Sequence, residues 1–133
     1  MSTYNWQIFT QYTAENIKNS QVIWEPYWHV LVEDYLHPEL LQLCNKNWLD
    51  MDVYANQDQP KSYNQHRRSY NPGVMDHKFW GVFYENFVQS TEIEDAIYSL
   101  EELSKPNLAP MSCSLWEDTE GYSVSNHVDG TTI

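Results

Sequence analysis

Changes in the period of apolar and polar positions mark out the elements of this chain. Up to about Gln21 the residues are polar, with scattered Trp6, Ile8, Phe9 and Ile17, which predicts a loosely determined arm carrying a short helix from Thr13 to Asn19. Trp24, Tyr27, Trp28, Val30, Leu31 and Val32 then form an apolar run broken by Pro26. It reads as a buried first strand from Tyr27 to Glu33 or Asp34. Pro38 suits the first position of a helix and Glu39 its positive end, and Leu40, Leu41, Leu43, Cys44 and Trp48 recur at helical spacing, so a helix is expected to run to about Trp48.

From Leu49 to Pro72 the chain turns polar, and Met51 to Asn64 reads as a long loop. Asp76 is placed to cap a second helix whose Phe79, Val82, Phe83 and Phe87 face a core. Thr91, Glu92, Ile93 and Glu94 form a capping-box pattern for a third helix, striped by Ile93, Ile97, Leu100 and Leu103 and stopped before Pro106. A strand from Pro110 to Trp116 follows, with Met111, Cys113 and Leu115 on one face. Beyond the turn residues Asp118 to Gly121, strand parity puts Tyr122, Val124, Asn126 and Val128 on one side and Ser123, Ser125, His127 and Asp129 on the other. One imidazole and one carboxylate then aim at a common spot; the competing reading of the same residues is an exposed hairpin.

Composition narrows the classes. A length of 133 residues fits one domain, 1–133, and 41% hydrophobic with 15% aromatic content fits a globular chain rather than a disordered one. The formal net charge of -12, with seven Lys and Arg, argues against nonspecific nucleic-acid binding. From Asp76 onward eleven Asp or Glu stand against two Lys, and a solvated acidic face is the plain explanation. Arg67 and Arg68 are a local concentration of positive charge, open to two readings: a contact for an anionic substrate group, or surface ion pairs with the acidic face. Neighbouring His66 reads as structural or exposed. Cys44 and Cys113, far apart and without a CxxC pattern, fit buried free thiols. Neither a targeting peptide nor a membrane span is readable, so a cytoplasmic location is expected.

As a whole, Leu115 to Asp129 resembles the first metal-binding strand of the Fe(II)/2-oxoglutarate-dependent dioxygenases, in the branch similar to prolyl hydroxylases. The stretch Trp28 to Leu41 also looks like the strand and helix that open many of them. The resemblance implies an α+β fold, with an N-terminal strand and helices leading into the first strands of an incomplete double-stranded β-helix, or jelly roll. It implies His127 and Asp129 as two ligands of a 2-His-1-carboxylate iron site, with Fe(II) as cofactor and 2-oxoglutarate as co-substrate. The implied reaction is oxidative decarboxylation of 2-oxoglutarate coupled to hydroxylation of a small-molecule or protein substrate.

Two departures qualify this. The family takes a second His and a co-substrate Arg or Lys from a later strand, and none follows Asp129 here, so the expectation is an N-terminal half that is inactive alone. Association with the missing half or another chain at the open sheet edge goes with that expectation. Second, where the branch commonly has a co-substrate Tyr nine residues before the metal His, this chain has Asp118, which would repel a dicarboxylate. Tyr122 is the substitute candidate. His29, His37, His66 and His77 all precede the metal strand and are poorly placed to complete the site. The rival classes are a non-catalytic acidic protein-binding module, using a face or sheet edge, and a nucleic-acid mimic acting through the acidic half.

Overall fold

The first helix forms where a stripe recurs at three- and four-residue spacing: Trp6, Phe9, Thr10, Thr13, Ala14 and Ile17 are all buried. In the computed structural model, which describes residues 4–50, 67–70, 77–100 and 113–121, this is α1, Trp6–Lys18. Asn5 caps it by accepting from the Ile8 backbone N–H, and Lys18 complements its negative end. The expected arm with a helix over 13–19 is therefore corrected to a thirteen-residue core helix. Two threonines and an alanine sit in the buried stripe, and a count of strictly apolar residues passes over them.

Two short strands follow, β1, Val22–Ile23, and β2, His29–Val30, antiparallel with Val22 opposite Val30 and Ile23 opposite His29. The strand expected from Tyr27 to Glu33 or Asp34 is thus cut to two residues, and it is not buried. Residues 25–28 bend around a cis Glu25–Pro26 bond, Asp34 takes a left-handed φ of 51°, and Tyr27 and Leu31 stand in solvent. Helix α1 holds the chain beyond the hairpin. Thr13 Oγ1 donates to the Tyr35 carbonyl and Asn16 Nδ2 to that of Asp34 at 2.8 Å.

Helix α2, Pro38–Lys46, begins as its proline suggests and buries Leu40 and Cys44; it ends two residues before the expected Trp48. Its cap is His37, whose Nδ1 accepts from Glu39 N at 3.0 Å. Helix α3, Lys78–Phe83, runs into a π-helical turn over Tyr84–Val88. His77 rather than Asp76 is its cap, with Nδ1 accepting from both Phe79 N and Trp80 N at 3.2 Å. Asp76 lies outside the described residues. Helix α4, Thr91–Tyr98, is capped by Ser90, whose Oγ accepts from Ile93 N, so Thr91 is the first helical residue and not the cap.

The chain divides into two compact units, Met1–Trp48 with Pro72–Cys113, and Leu49–Asn71 with Ser114–Ile133. In the first, α1 packs along α4, and Thr10 Oγ1 donates to Glu92 Oε1 at 2.9 Å across that seam. Its core is aromatic. Phe79 and Trp80 meet edge to face at 4.9 Å, Phe83 and Phe87 stack at 5.2 Å, and the Trp80 indole N–H donates to the Asn47 carbonyl at 2.8 Å. In the second, β3, Arg67–Tyr70, pairs antiparallel with β4, Leu115–Asp118. Of the strand expected from Pro110 to Trp116, residues 110–112 lie outside the described residues, Cys113 and Ser114 are not strand, and β4 begins at Leu115 and runs past Trp116 to Asp118. Strand β3 falls in the polar stretch from Leu49 to Pro72, where no strand is expected.

The described residues are thus mixed helix and sheet, in keeping with an α+β chain. Among them no helix is long and apolar enough to cross a membrane. The loop expected over Met51 to Asn64 and the Leu103 end of the third helix lie outside the described residues.

Candidate functional site

The segment singled out by the sequence begins on β4. Leu115, Trp116, Glu117 and Asp118 stand opposite Tyr70, Ser69, Arg68 and Arg67 respectively. Residues 120 and 121 turn, and Gly121 adopts a φ of 96°, which glycine takes without the penalty a Cβ would bring. Tyr122, His127 and Asp129, the candidate co-substrate contact and metal ligands, lie outside the described residues, as does His66.

Within the described part, the ribbon gathers a definite cluster. Arg67 directs Nε and one terminal nitrogen at the two carboxylate oxygens of Asp118, at 2.5 and 2.7 Å, a bidentate pair. The same guanidinium lies 4.6 Å from the centre of the Trp116 ring. Strand register explains the geometry. Arg67 faces Asp118 directly and Trp116 diagonally, so all three project from one side of the ribbon. The hydrogen bond from Arg67 holds the Asp118 carboxyl below the usual carboxylate range, outweighing an opposing effect of desolvation, and the guanidinium charge adds a lesser push in the same downward direction.

Asp118 is therefore not a bare negative charge, because Arg67 matches it. Of the two readings of Arg67, the ion pair is the one its side chain makes, and its anion-binding fork is occupied. Arg68 stands across from Glu117 in backbone register, and its side chain lies outside the described residues. The signal that could have located this ribbon was cross-strand charge: two arginines in one polar stretch and two acids in another, fifty residues on.

The described histidines have structural employment. His37 and His77 spend Nδ1 on helix caps, and the His29 Nδ1 donates to the Tyr27 carbonyl at 2.7 Å. Among the described residues no three His, Cys, Asp or Glu side chains gather where they could hold a metal ion. The cysteines are free thiols, Cys44 buried and Cys113 half-buried. Burial, with a smaller contribution from Cys113, pushes Cys44 up to about 11, and burial raises Cys113 too; both stay protonated and are poor nucleophiles. A groove of about 760 Å³ beside α1 and α2 is lined by residues including Tyr4, Phe9, His37, Glu39 and Lys46. It presents both signs of charge, with Glu39 and Lys46 in its wall.

No protein-family model, no curated protein and no solved structure matches this chain.

Proposed function

We propose that this chain is built on the pattern of the Fe(II)/2-oxoglutarate-dependent dioxygenases of the prolyl-hydroxylase-like branch, with β3 and β4 among the first strands of the jelly roll. His127 and Asp129 supply two protein donors to the iron, and Tyr122 stands beside the co-substrate. The donor chemistry suits Fe(II), since a neutral imidazole and a carboxylate on one strand face leave positions open for a chelating co-substrate and oxygen. When bound, the iron and 2-oxoglutarate would supply the oxidising power for hydroxylation.

One observation carries the reading. The antiparallel strand β4 ends at Asp118 and a turn follows at residues 120 and 121, so the segment that carries His127 and Asp129 in the sequence is entered from a strand and a turn, which supports the reading. The pairing of Asp118 with Arg67 supports it too, by removing the uncompensated negative charge that would oppose a dicarboxylate nearby.

Anaerobic titration with Mn(II), followed by paramagnetic broadening of backbone NMR signals, tests the proposal. Broadening centred on His127 and Asp129, strengthened by 2-oxoglutarate and abolished by His127→Ala and by Asp129→Ala, is the expected result. Broadening that ignores 2-oxoglutarate and survives both substitutions would mean that Mn(II) meets only the acidic surface, and the proposal would fall.

A further inference from the structure

Between Val22 and Leu31 the first unit carries large apolar side chains on its outside. Trp24 is 58%, Tyr27 68% and Leu31 73% exposed, and Ile23 is exposed as well. Trp24 leans on Trp28, ring centres 6.3 Å apart at 64°, and Tyr27 on His29 at 5.2 Å, so the rings are ordered against one another while remaining open to solvent. Scattered exposed apolar residues are normal on a protein surface. Ile23, Trp24 and Tyr27 on one short hairpin, with Leu31 just beyond it, concentrate exposed apolar surface in a single stretch of chain, the kind of surface that marks an interaction site.

Charge decides what such a patch can meet. Between Lys18 and Lys46 the sequence holds neither lysine nor arginine, while Glu25, Glu33, Asp34 and Glu39 are all exposed. A second copy would bring the same acids and the same net charge of -12 to the contact, and like charges would oppose the pairing. A nucleic acid or an anionic membrane is opposed in the same way. A cationic partner is favoured, and the aromatic rings favour arginine over lysine, because a guanidinium stacks on a ring and pairs with a carboxylate at once. The second unit displays that chemistry internally, with Arg67 over Trp116 and on Asp118. The hairpin presents tryptophans and acids and supplies no arginine of its own.

We infer that the β1–β2 hairpin is a docking surface for an arginine-bearing segment of another protein, held by Trp24, Tyr27 and Leu31 with Glu25 and its neighbouring acids. This surface lies outside the 127–129 segment and does not depend on iron binding there.

The test follows the indole N–H signals of the full chain by NMR during titration with octa-arginine, octa-lysine and octa-glutamate peptides at physiological salt. Octa-arginine is expected to move the Trp24 and Trp28 signals ahead of those of Trp6 and Trp80. It should bind about fivefold or more tightly than octa-lysine, the ratio that roughly 1 kcal/mol of ring stacking gives. Octa-glutamate should bind nothing. The triple variant Trp24→Ser, Tyr27→Ser, Leu31→Ser keeps every carboxylate and should lose the preference for arginine while its helical circular dichroism is unchanged. Equal binding of the two cationic peptides, or unaltered preference in the triple variant, would reduce the effect to net charge and overturn the inference. So would sedimentation showing that the wild type self-associates through this surface.

Discussion

The same aromatic residue types lead opposite lives in the helices and in the two-stranded ribbons. In the helical part, Trp6, Phe79, Trp80, Phe83 and Phe87 turn inward and meet one another edge to face or stacked. On the ribbons, Trp24 and Tyr27 of the hairpin and Trp116 of β4 are exposed. Helices of this length present a wide apolar stripe to one another, whereas a ribbon of two strands has no second layer of its own to cover a face. Aromatic content alone therefore does not locate a core; the element carrying the ring decides whether it stabilises the fold or is left for a partner.

The sharpest way to break this contrast is Trp80→Ala. Trp80 is 1% exposed, touches Phe79 and Phe83, and donates its indole N–H to the Asn47 carbonyl. Truncation opens a large cavity and orphans that carbonyl, so a loss of about 3–5 kcal/mol is expected from denaturant unfolding. A loss below about 1 kcal/mol would show that the helical rings are no better packed than those of the ribbons. Next comes Ser90→Ala, which removes the acceptor for Ile93 N at the start of α4 and should cost about 1 kcal/mol. Ser90→Asp, which retains an acceptor and adds a favourable charge at the helix end, should restore most of it.

The helices were the legible part of the sequence, and the reasons are local. Pro38 announced α2, and Phe79, Phe83 and Phe87 announced α3 and its continuation at their own spacing. Helix α1 exceeds the 13–19 that its apolar residues predict because Thr10 and Thr13 are buried through hydrogen bonds to Glu92 and to the Tyr35 carbonyl, partners remote in sequence. The caps fall one residue from the expected Asp76 and Thr91 because the neighbouring His77 and Ser90 accept the backbone N–H groups instead. For the ribbons the difficulty was physical. Their strands are two to four residues long, too short for alternation to show, and β3 is polar up to its last residue, Tyr70. Of the candidate site, the ion pair of Arg67 was readable as one of two outcomes, while its partner Asp118 was singled out for another reason.

The ribbon cluster offers a gentler perturbation. Because Arg67 lowers the Asp118 carboxyl from its ordinary value of 3.8, the contribution of the pair is fully present above that value and is lost as pH falls through the lowered one. Arg67→Gln should bring the Asp118 titration, followed by carboxyl NMR, back up toward the ordinary value, and should leave the helical unfolding transition in place. An Asp118 titration unmoved by the substitution would mean that strand pairing alone, and not the guanidinium, sets its charge state. Trp116 fluorescence should change in the same variant, since the cation leaves its ring.

The smallest effect is expected where the rings are largest and most visible. Tyr27 and Trp24 on the hairpin touch His29 and Trp28, yet most of their surface is already in water, so replacing either by serine removes little burial. Each change should alter unfolding free energy by no more than about 0.5 kcal/mol, the range of ordinary surface substitutions. The wild type and the serine variants should sediment alike as monomers, since the acids around the hairpin oppose a second copy. A destabilisation of about 2 kcal/mol or more at Trp24 would show that the hairpin rings are structural after all. The contrast with Trp80 would then be one of degree, because rings that hold the fold together are not free to serve a partner.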